Sequence, residues 1–255
     1  MILGNIENHK GQGLVAFIDI LGFSKEIIEK WEDIEDNPLD KLLELKEYLP
    51  VHSNKELEET DSETKGKRIY PCRVQTISDS IVVSFGFDEE LKYGDVFLAT
   101  ISFFHTISVI WRNALEAGFT VRGAADWGPI FWNDKEIIGP SFINAYSLEE
   151  KQAKSSRIII SSSLNRNLAK VYSEVKTFWN EEILKILRKD NDGYLILNPH
   201  SLYTKDDQKD KARVVCILTE LRSKANHINR EKYNPILTAL NSNEHSLLED
   251  DLGKY

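Results

Sequence analysis

The six residues from Leu14 to Asp19, LVAFID, are apolar up to a terminal carboxylate, and Gly22 follows three positions later. A short run with apolar residues at both alternating positions suits a strand covered on both faces, and its last residue delivers an acid at the strand's carboxyl end. Gly22 permits a sharp turn and close approach of the backbone. Ser24 to Trp31 then opens on a capping residue and sets Ile27 and Ile28 among charges, which predicts a helix beginning at Ser24. A strand ending on an acid that passes directly into a helix already points to a mixed α and β architecture.

The elements that follow extend that reading. A second helical piece covers Leu39 to Leu49, and the charged, apolar-poor stretch from Val51 to Arg68 reads as a solvated loop. Ile69 to Ile77 and Ile81 to Phe87 are β-rich runs joined at Ser78, Asp79 and Ser80, three turn-favouring residues, so a hairpin with Asp79 at its tip is expected. Val96 to Glu116 is a long apolar helix with Asp95 as the expected N-cap and Gly118 closing it. Its apolar core, Val96 to Trp111, is shorter than the ~20 residues a bilayer requires and carries several hydroxyl groups, so it reads as a buried helix with His105 as a packing residue. Phe119 to Ala125 is a strand, Asp126 to Lys135 is turn-rich with room for one more strand, Ser141 to Lys154 has helical spacing, and Arg157 to Ile160 is a short strand. A strand pair over Ile183 to Asn198, a charged helix over Asp206 to Asn226 and a polar tail from Asn241 complete the chain.

The resulting order is strand, helix, hairpin, helix, strand, helix, strand: an α+β fold with a ferredoxin-like βαββαβ core over about residues 13–200 and a C-terminal helical extension over about 201–255, in one domain. At 255 residues the chain is long enough for a substantial core. The net charge of −9 repels a phosphodiester backbone, and no basic stripe offsets it, so nucleic acid is not an expected partner. Cys72 and Cys216 stand alone, without zinc-ligand spacing, and the amino end lacks a basic leader with an apolar core; a cytoplasmic protein with no direct membrane contact is expected.

In a ferredoxin-like core the end of the first strand lies beside the tip of the central hairpin, so Asp19 and Asp79 are expected to converge from sixty positions apart. Carboxylates converging at strand ends suit Mg²⁺ or Mn²⁺, hard ions that accept oxygen ligands and retain water. Two such ions roughly 3.5–4 Å apart can hold an attacking and a leaving oxygen in line. The LGFS segment behind Asp19 adds free N–H groups at a helix start, so Gly22, Phe23 and Ser24 are candidate phosphate-binding residues.

Four segments resemble the class III nucleotidyl cyclases. Phe17 to Ser24, FIDILGFS, resembles the family's F-x-D-I-x-G-F-[ST] motif, and Gln75 to Asp79 its K-T-I-G-D-like hairpin. VRGAADWGPI from Val121 resembles the family's R-x-G-I-x-x-G strand and turn, and IIGPSFINAYSLEE from Ile137 its later Asn- and Arg-bearing helix. The similarity spans about residues 13–162. It implies a head-to-tail homodimer with sites at the interface, in which Asp19, Asp79 and the Ile20 carbonyl hold two Mg²⁺ or Mn²⁺ ions per site and the substrate's 3′-oxygen attacks its α-phosphorus.

The departures from the family pattern are informative. Gln75 stands where the family reads purines with Lys, and Glu136 where it uses Asp; Arg73 shares a strand face with Gln75, so these three are candidate base-binding residues. A side-chain amide pairs with uracil or cytosine equally well after a flip. Together with the A-Y-x-L-E string at Ala145 to Glu149, the chain resembles the pyrimidine cyclases of bacterial Pycsar anti-phage systems, which make cyclic UMP or cyclic CMP for a separate effector. The family's transition-state Asn and Arg fall on Ile143 and Ser147; Asn144, Arg122, Arg157 and Lys189 are the candidates to replace them. Lys189, in RKDNDGYL, resembles the family's late phosphate-contacting hairpin. A catalytically silent nucleotide-binding module and a purine cyclase with an altered pocket are the alternative readings.

Overall fold

The computed structural model describes residues 8–53, 71–87, 92–175, 180–203, 205–225, 227–241, 247 and 252–253. Strands β1 (His9–Ile20), β2 (Cys72–Ile77), β3 (Ser80–Gly86), β4 (Val121–Trp132), β6 (Ile158–Ile160), β7 (Leu187–Lys189) and β8 (Leu195–Leu197) form one sheet in the order β2-β3-β1-β4-β6-β8-β7. A two-residue strand, β5 (Ile137–Ile138), folds back on the end of β4. Its first four members, all antiparallel, are the ferredoxin-like core with β1 and β3 inside. β4 and β6 are parallel, joined by helix α4 (Pro140–Gln152), a connection that parallel neighbours require.

Alternate residues of β1 serve two cores. Leu14, Ala16, Ile18 and Ile20 face the large core under α3 (Tyr93–Glu116), where Phe103, Phe104, Ile107, Ile110 and Trp111 are almost wholly buried. Val15 and Phe17 face the other way, against α4, with Phe142 and Tyr146 edge-on to Phe17 at 6.2 and 5.2 Å. By length and composition α3 could cross a membrane, but 61% of its most apolar window is buried among the sheet and its neighbours.

Several expectations are corrected. The first helix, α1 (Phe23–Lys30), starts at Gly22 with φ of 81°, and no side chain caps it, so Ser24 lies inside the first turn. Lys92 caps α3, and Asp95 lies buried in its first turn. β4 runs unbroken to Trp132 through the segment read as turn-rich, because Asp126, Gly128 and Pro129 keep register with Val15, Gly13 and Gln12. Ile183 belongs to α6 (Asn180–Ile186), leaving only three-residue strands for the late hairpin. His105 is exposed. Helix α2 (Pro38–Ser53) takes in the first three residues of the stretch read as a loop, and the rest of that loop and Ile69 lie outside the described residues. Helix α5 (Ser162–Glu174) follows β6 and is an element beyond those expected from the sequence.

The C-terminal extension forms α7 (Gln208–Lys224) and α8 (His227–Asn241), whose Val214, Leu218, Ile236, Leu237 and Leu240 complete the large core. Where the sequence reads as a polar tail, the described residues are packed: Leu247 is buried and its N–H donates to Leu184 O at 2.9 Å, and Gly253 N–H donates to Asn165 at 3.0 Å.

Candidate active site

The strand registers place Ile77, Ser80, Asp19 and Arg122 in one row across the sheet. The next two rows are Gln75, Val82, Phe17, Ala124 and Arg73, Ser84, Val15, Asp126, all on the face that α4 partly covers. Asp79 precedes Ser80 in the tight turn between β2 and β3, where Ser78 adopts φ of 54° and its carbonyl accepts from Lys46 Nζ at 2.6 Å. Asp19 and Asp79 therefore sit at adjacent strand ends. Burial first, and the charge of Asp79 second, raise the Asp19 carboxyl above its usual range, against the opposing pull of Arg122 and Ser80.

Ser80 donates to Asp19 Oδ1 at 3.2 Å, and Arg122 donates to Oδ2 from Nε and Nη2 at 3.3 Å. Arg122 Nε also lies 2.6 Å from Glu149 Oε1, a close ion-pair contact without the alignment of a hydrogen bond. Glu149, on α4, is 2% exposed, and burial pushes its carboxyl up to about 7, with Arg122 opposing and Asp19 adding to the shift. One guanidinium is thus shared by two acids. Glu149 was not singled out from sequence, although it falls seven residues after Phe142 and four after Ala145, on the helix's inward stripe.

The donors here are hard oxygens. Among the described residues no group of three or more His, Cys, Asp or Glu side chains could hold a metal ion. Two carboxylates nevertheless fit Mg²⁺ or Mn²⁺, which take one or two protein carboxylates and complete their shells with water and substrate phosphate. The burial and the neighbouring charge of Asp79 that raise the Asp19 carboxyl are the electrostatic demand such a cation meets.

The remaining candidates divide by position. Gly22 has left-handed backbone and adjoins Asp19; Phe23 packs into the core on Phe119 at 5.9 Å, and Ser24 is exposed. Phe23 therefore has only its backbone N–H to offer a phosphate. Arg73 and Gln75 project from β2, and Arg73 Nη2 donates to Asp134 O at 2.9 Å, tying β2 to the 133–136 turn that carries the exposed Glu136. Arg73 Nη1, Gln75 Oε1 and Ser84 Oγ are buried atoms with no hydrogen-bond partner among the described residues, on the same sheet face. Orphaned polar atoms so close together suit the edge of a polar ligand.

Lys189 ends β7, with β4, β6 and β8 between it and β1, so about 19 Å of sheet separates it from Asp19 at ~4.8 Å per strand. It lines a cavity of about 770 Å³ with Ser147, Lys151 and Ser161 to Ser163. Asn144 reaches that cavity too, donating to Asp126 at 3.3 Å; Ser161 and Ser163 also donate to Asp126. Arg157 pairs with Asp190 and Asp192 at 2.7 and 2.6 Å and stiffens the late hairpin.

No protein-family model matches this sequence, and no curated protein matches it. Solved structures match it at low identity. The catalytic core of a rhodopsin-guanylyl cyclase with converted specificity, in complex with ATPαS, matches 75% of this chain and 98% of its own, at 16% identity and a TM-score of 0.43. A class III adenylyl cyclase-like ATP-binding protein from Pseudomonas aeruginosa matches at 14% identity and a TM-score of 0.41; the match covers 62% of this chain and 35% of that one. The guanylyl cyclase Cya2 matches 74% of this chain and 92% of its own at 11% identity and a TM-score of 0.37. Identities of this order transfer no residue role.

Proposed function

We propose that this chain is a nucleotidyl cyclase that converts UTP or CTP to 3′,5′-cyclic UMP or cyclic CMP and pyrophosphate. The observation that carries the reading is the meeting of Asp19 and Asp79 at neighbouring strand ends beside the Gly22 turn. In the reaction the 3′-oxygen forms a bond to the α-phosphorus, the bond from that phosphorus to the oxygen bridging the β-phosphorus breaks, and the 3′-hydroxyl proton passes to solvent. Divalent cations, when bound, would supply acidity to the 3′-hydroxyl and would neutralise charge on the departing pyrophosphate. Asp19, Asp79 and the Ile20 carbonyl hold those ions; the backbone N–H groups after Gly22 bind phosphate; Arg73 and Gln75 face the base edge, with Glu136 on the neighbouring turn. A pyrimidine fits a site that offers an amide in place of a lysine.

One chain holds only part of this machinery, because Lys189 lies four strands along the sheet from Asp19 and Asn144 is turned to the cavity that Lys189 lines. A head-to-tail homodimer would bring a second copy's far side to Asp19. Ile77, Ile143 and Tyr146 are 52%, 57% and 44% exposed on or beside that face, which is the surface such a dimer needs. Ile143→Asp is expected to weaken self-association by at least roughly tenfold and to reduce activity in parallel, read by light scattering and product assay. A monomer that retains full turnover would count against the dimer.

A second reading, a silent nucleotide-binding module, draws on one observation. Arg122 and Asn144, two of the candidates to stabilise a transition state, are both engaged within the chain, by Asp19 and Glu149 and by Asp126. Incubation with each of the four nucleoside triphosphates and Mn²⁺, with products resolved, separates the readings. A cyclic pyrimidine nucleotide supports the cyclase, nucleotide binding without turnover supports the silent module, and cyclic AMP or cyclic GMP would replace the pyrimidine assignment. A role in anti-phage defence, through a separate effector that the cyclic nucleotide activates, accompanies the pyrimidine reading.

A further inference from the structure

The C-terminal helix α8 sends one cation to the turn behind β1. A Cβ built on Gly22 would stand 2.9 Å from Lys232 Nζ, so the ammonium occupies the space that the absent side chain leaves. Gly22 is left-handed at φ of 81°, which only glycine adopts without strain, and the turn is therefore kept free of side chain on two independent grounds.

That ammonium is poorly compensated. Lys232 is half-buried and forms no hydrogen bond and no ion pair within 4 Å among the described residues. Its charged neighbours are one carboxylate, Glu26, which is also drawn on by Lys30 and Lys41, and two cations, Lys25 and Arg122. Burial and those two cations hold the Lys232 ammonium below the usual lysine range, with Glu26 opposing. A lysine that only covered apolar surface would extend its head into water. This one keeps its head against the Gly22 turn, where it feels the charge of the guanidinium that grips Asp19.

We infer that Lys232 is a phosphate-binding residue of the active site, contacting the substrate's polyphosphate beside the Gly22 turn, so that the C-terminal extension completes a site otherwise built on β1, the β2–β3 turn and β4. The inference rests on the cyclase reading for the identity of the substrate, and on the geometry alone for the anion. Arg122 is already held by Asp19 and Glu149 and Lys25 by Glu29, so Lys232 is the cation of this cluster with a charge left to be met; a polyphosphate supplies it, and an ammonium is a compact partner for non-bridging phosphate oxygens.

The test uses the full chain with Mn²⁺ and two probes read by calorimetry: an α,β-methylene analogue of UTP that cannot cyclise, and inorganic tripolyphosphate. Lys232→Gln is expected to bind both roughly tenfold more weakly, the loss of one charge-assisted contact, whereas Lys232→Arg stays within about threefold of the parent. Because the ammonium holds no ion pair among the described residues and burial disfavours its charge, the unfolding temperature of Lys232→Gln should not fall below the parent's. Unchanged affinity of Lys232→Gln for both probes overturns the inference; if Asp79→Ala loses the analogue at the same time, the cyclase reading stands without it. Loss of tripolyphosphate binding in Lys232→Gln, with no effect of Asp79→Ala on either probe, would keep Lys232 as an anion site and remove the cyclase reading.

Discussion

Asp79→Ala is expected to lower metal-dependent formation of cyclic nucleotide by roughly a thousandfold, the scale on which losing one preorganised electrostatic element of an active site is felt. The fold should survive, because Asp79 is half-buried in a turn whose geometry is held by Ser78, by Lys46 and by the β2–β3 ladder. Asp19→Asn sharpens the test. It should abolish product to a similar degree while making the ligand-free chain more stable at neutral pH. The Asp19 carboxyl is raised by burial and by Asp79, so its ionised form costs stability in the folded state; that stability is greatest below the unfolded carboxylate range and falls as pH rises through the raised value. The asparagine removes that loss. A rise in unfolding temperature together with a dead enzyme is the pattern of a residue kept for function at a cost in stability. If Asp19→Asn unfolds more readily than the parent at pH 7.5 and still turns over, the metal-site assignment is wrong.

The second large effect concerns Glu149, whose carboxyl is raised from 4.5 to about 7 in the folded chain. The parent should be most stable, relative to Glu149→Gln, below about pH 4.5, where the acid is protonated in both states, and should lose that stability as pH climbs through about 7. Above pH 8 the glutamine variant is expected to be more stable by on the order of 2–3 kcal/mol, a rise in unfolding temperature of roughly 5–10 °C for a chain of this size. The two chains should converge near pH 4.5. Activity should move the other way, because without the Glu149 carboxylate the Arg122 guanidinium is held by Asp19 alone and competes more strongly with a divalent cation there. Thermal unfolding of both chains from pH 4.5 to 8.5 reads the first effect, and a rise in the Mn²⁺ concentration needed for half-maximal rate reads the second. A stability gap that does not change with pH would show that Glu149 is ionised throughout and that Arg122 compensates it fully.

The legibility of this chain follows the range of the interactions involved. β1, the β2–β3 hairpin, α3 and α4 announce themselves because apolar periodicity and turn residues act over a few positions. Asp19 and Asp79 were legible as a pair because the element order alone brings the end of β1 beside the hairpin tip. Asp126, Gly128 and Pro129 look like turn residues locally and mask the second half of β4 in the sequence, whereas twelve register pairs with β1 hold them extended. Leu247 looked like part of a tail because its partner, Leu184, lies sixty-three positions away.

What the sequence determined by itself is most of the strand and helix order and the two acids at its turns. What only the tertiary structure decided is who shares those acids: Arg122 between Asp19 and Glu149, Asp126 among Asn144, Ser161 and Ser163, and Lys232 over Gly22. The physical reason is that secondary structure follows from neighbours in the chain, while the energy of a buried charge depends on groups that fold in from anywhere along it.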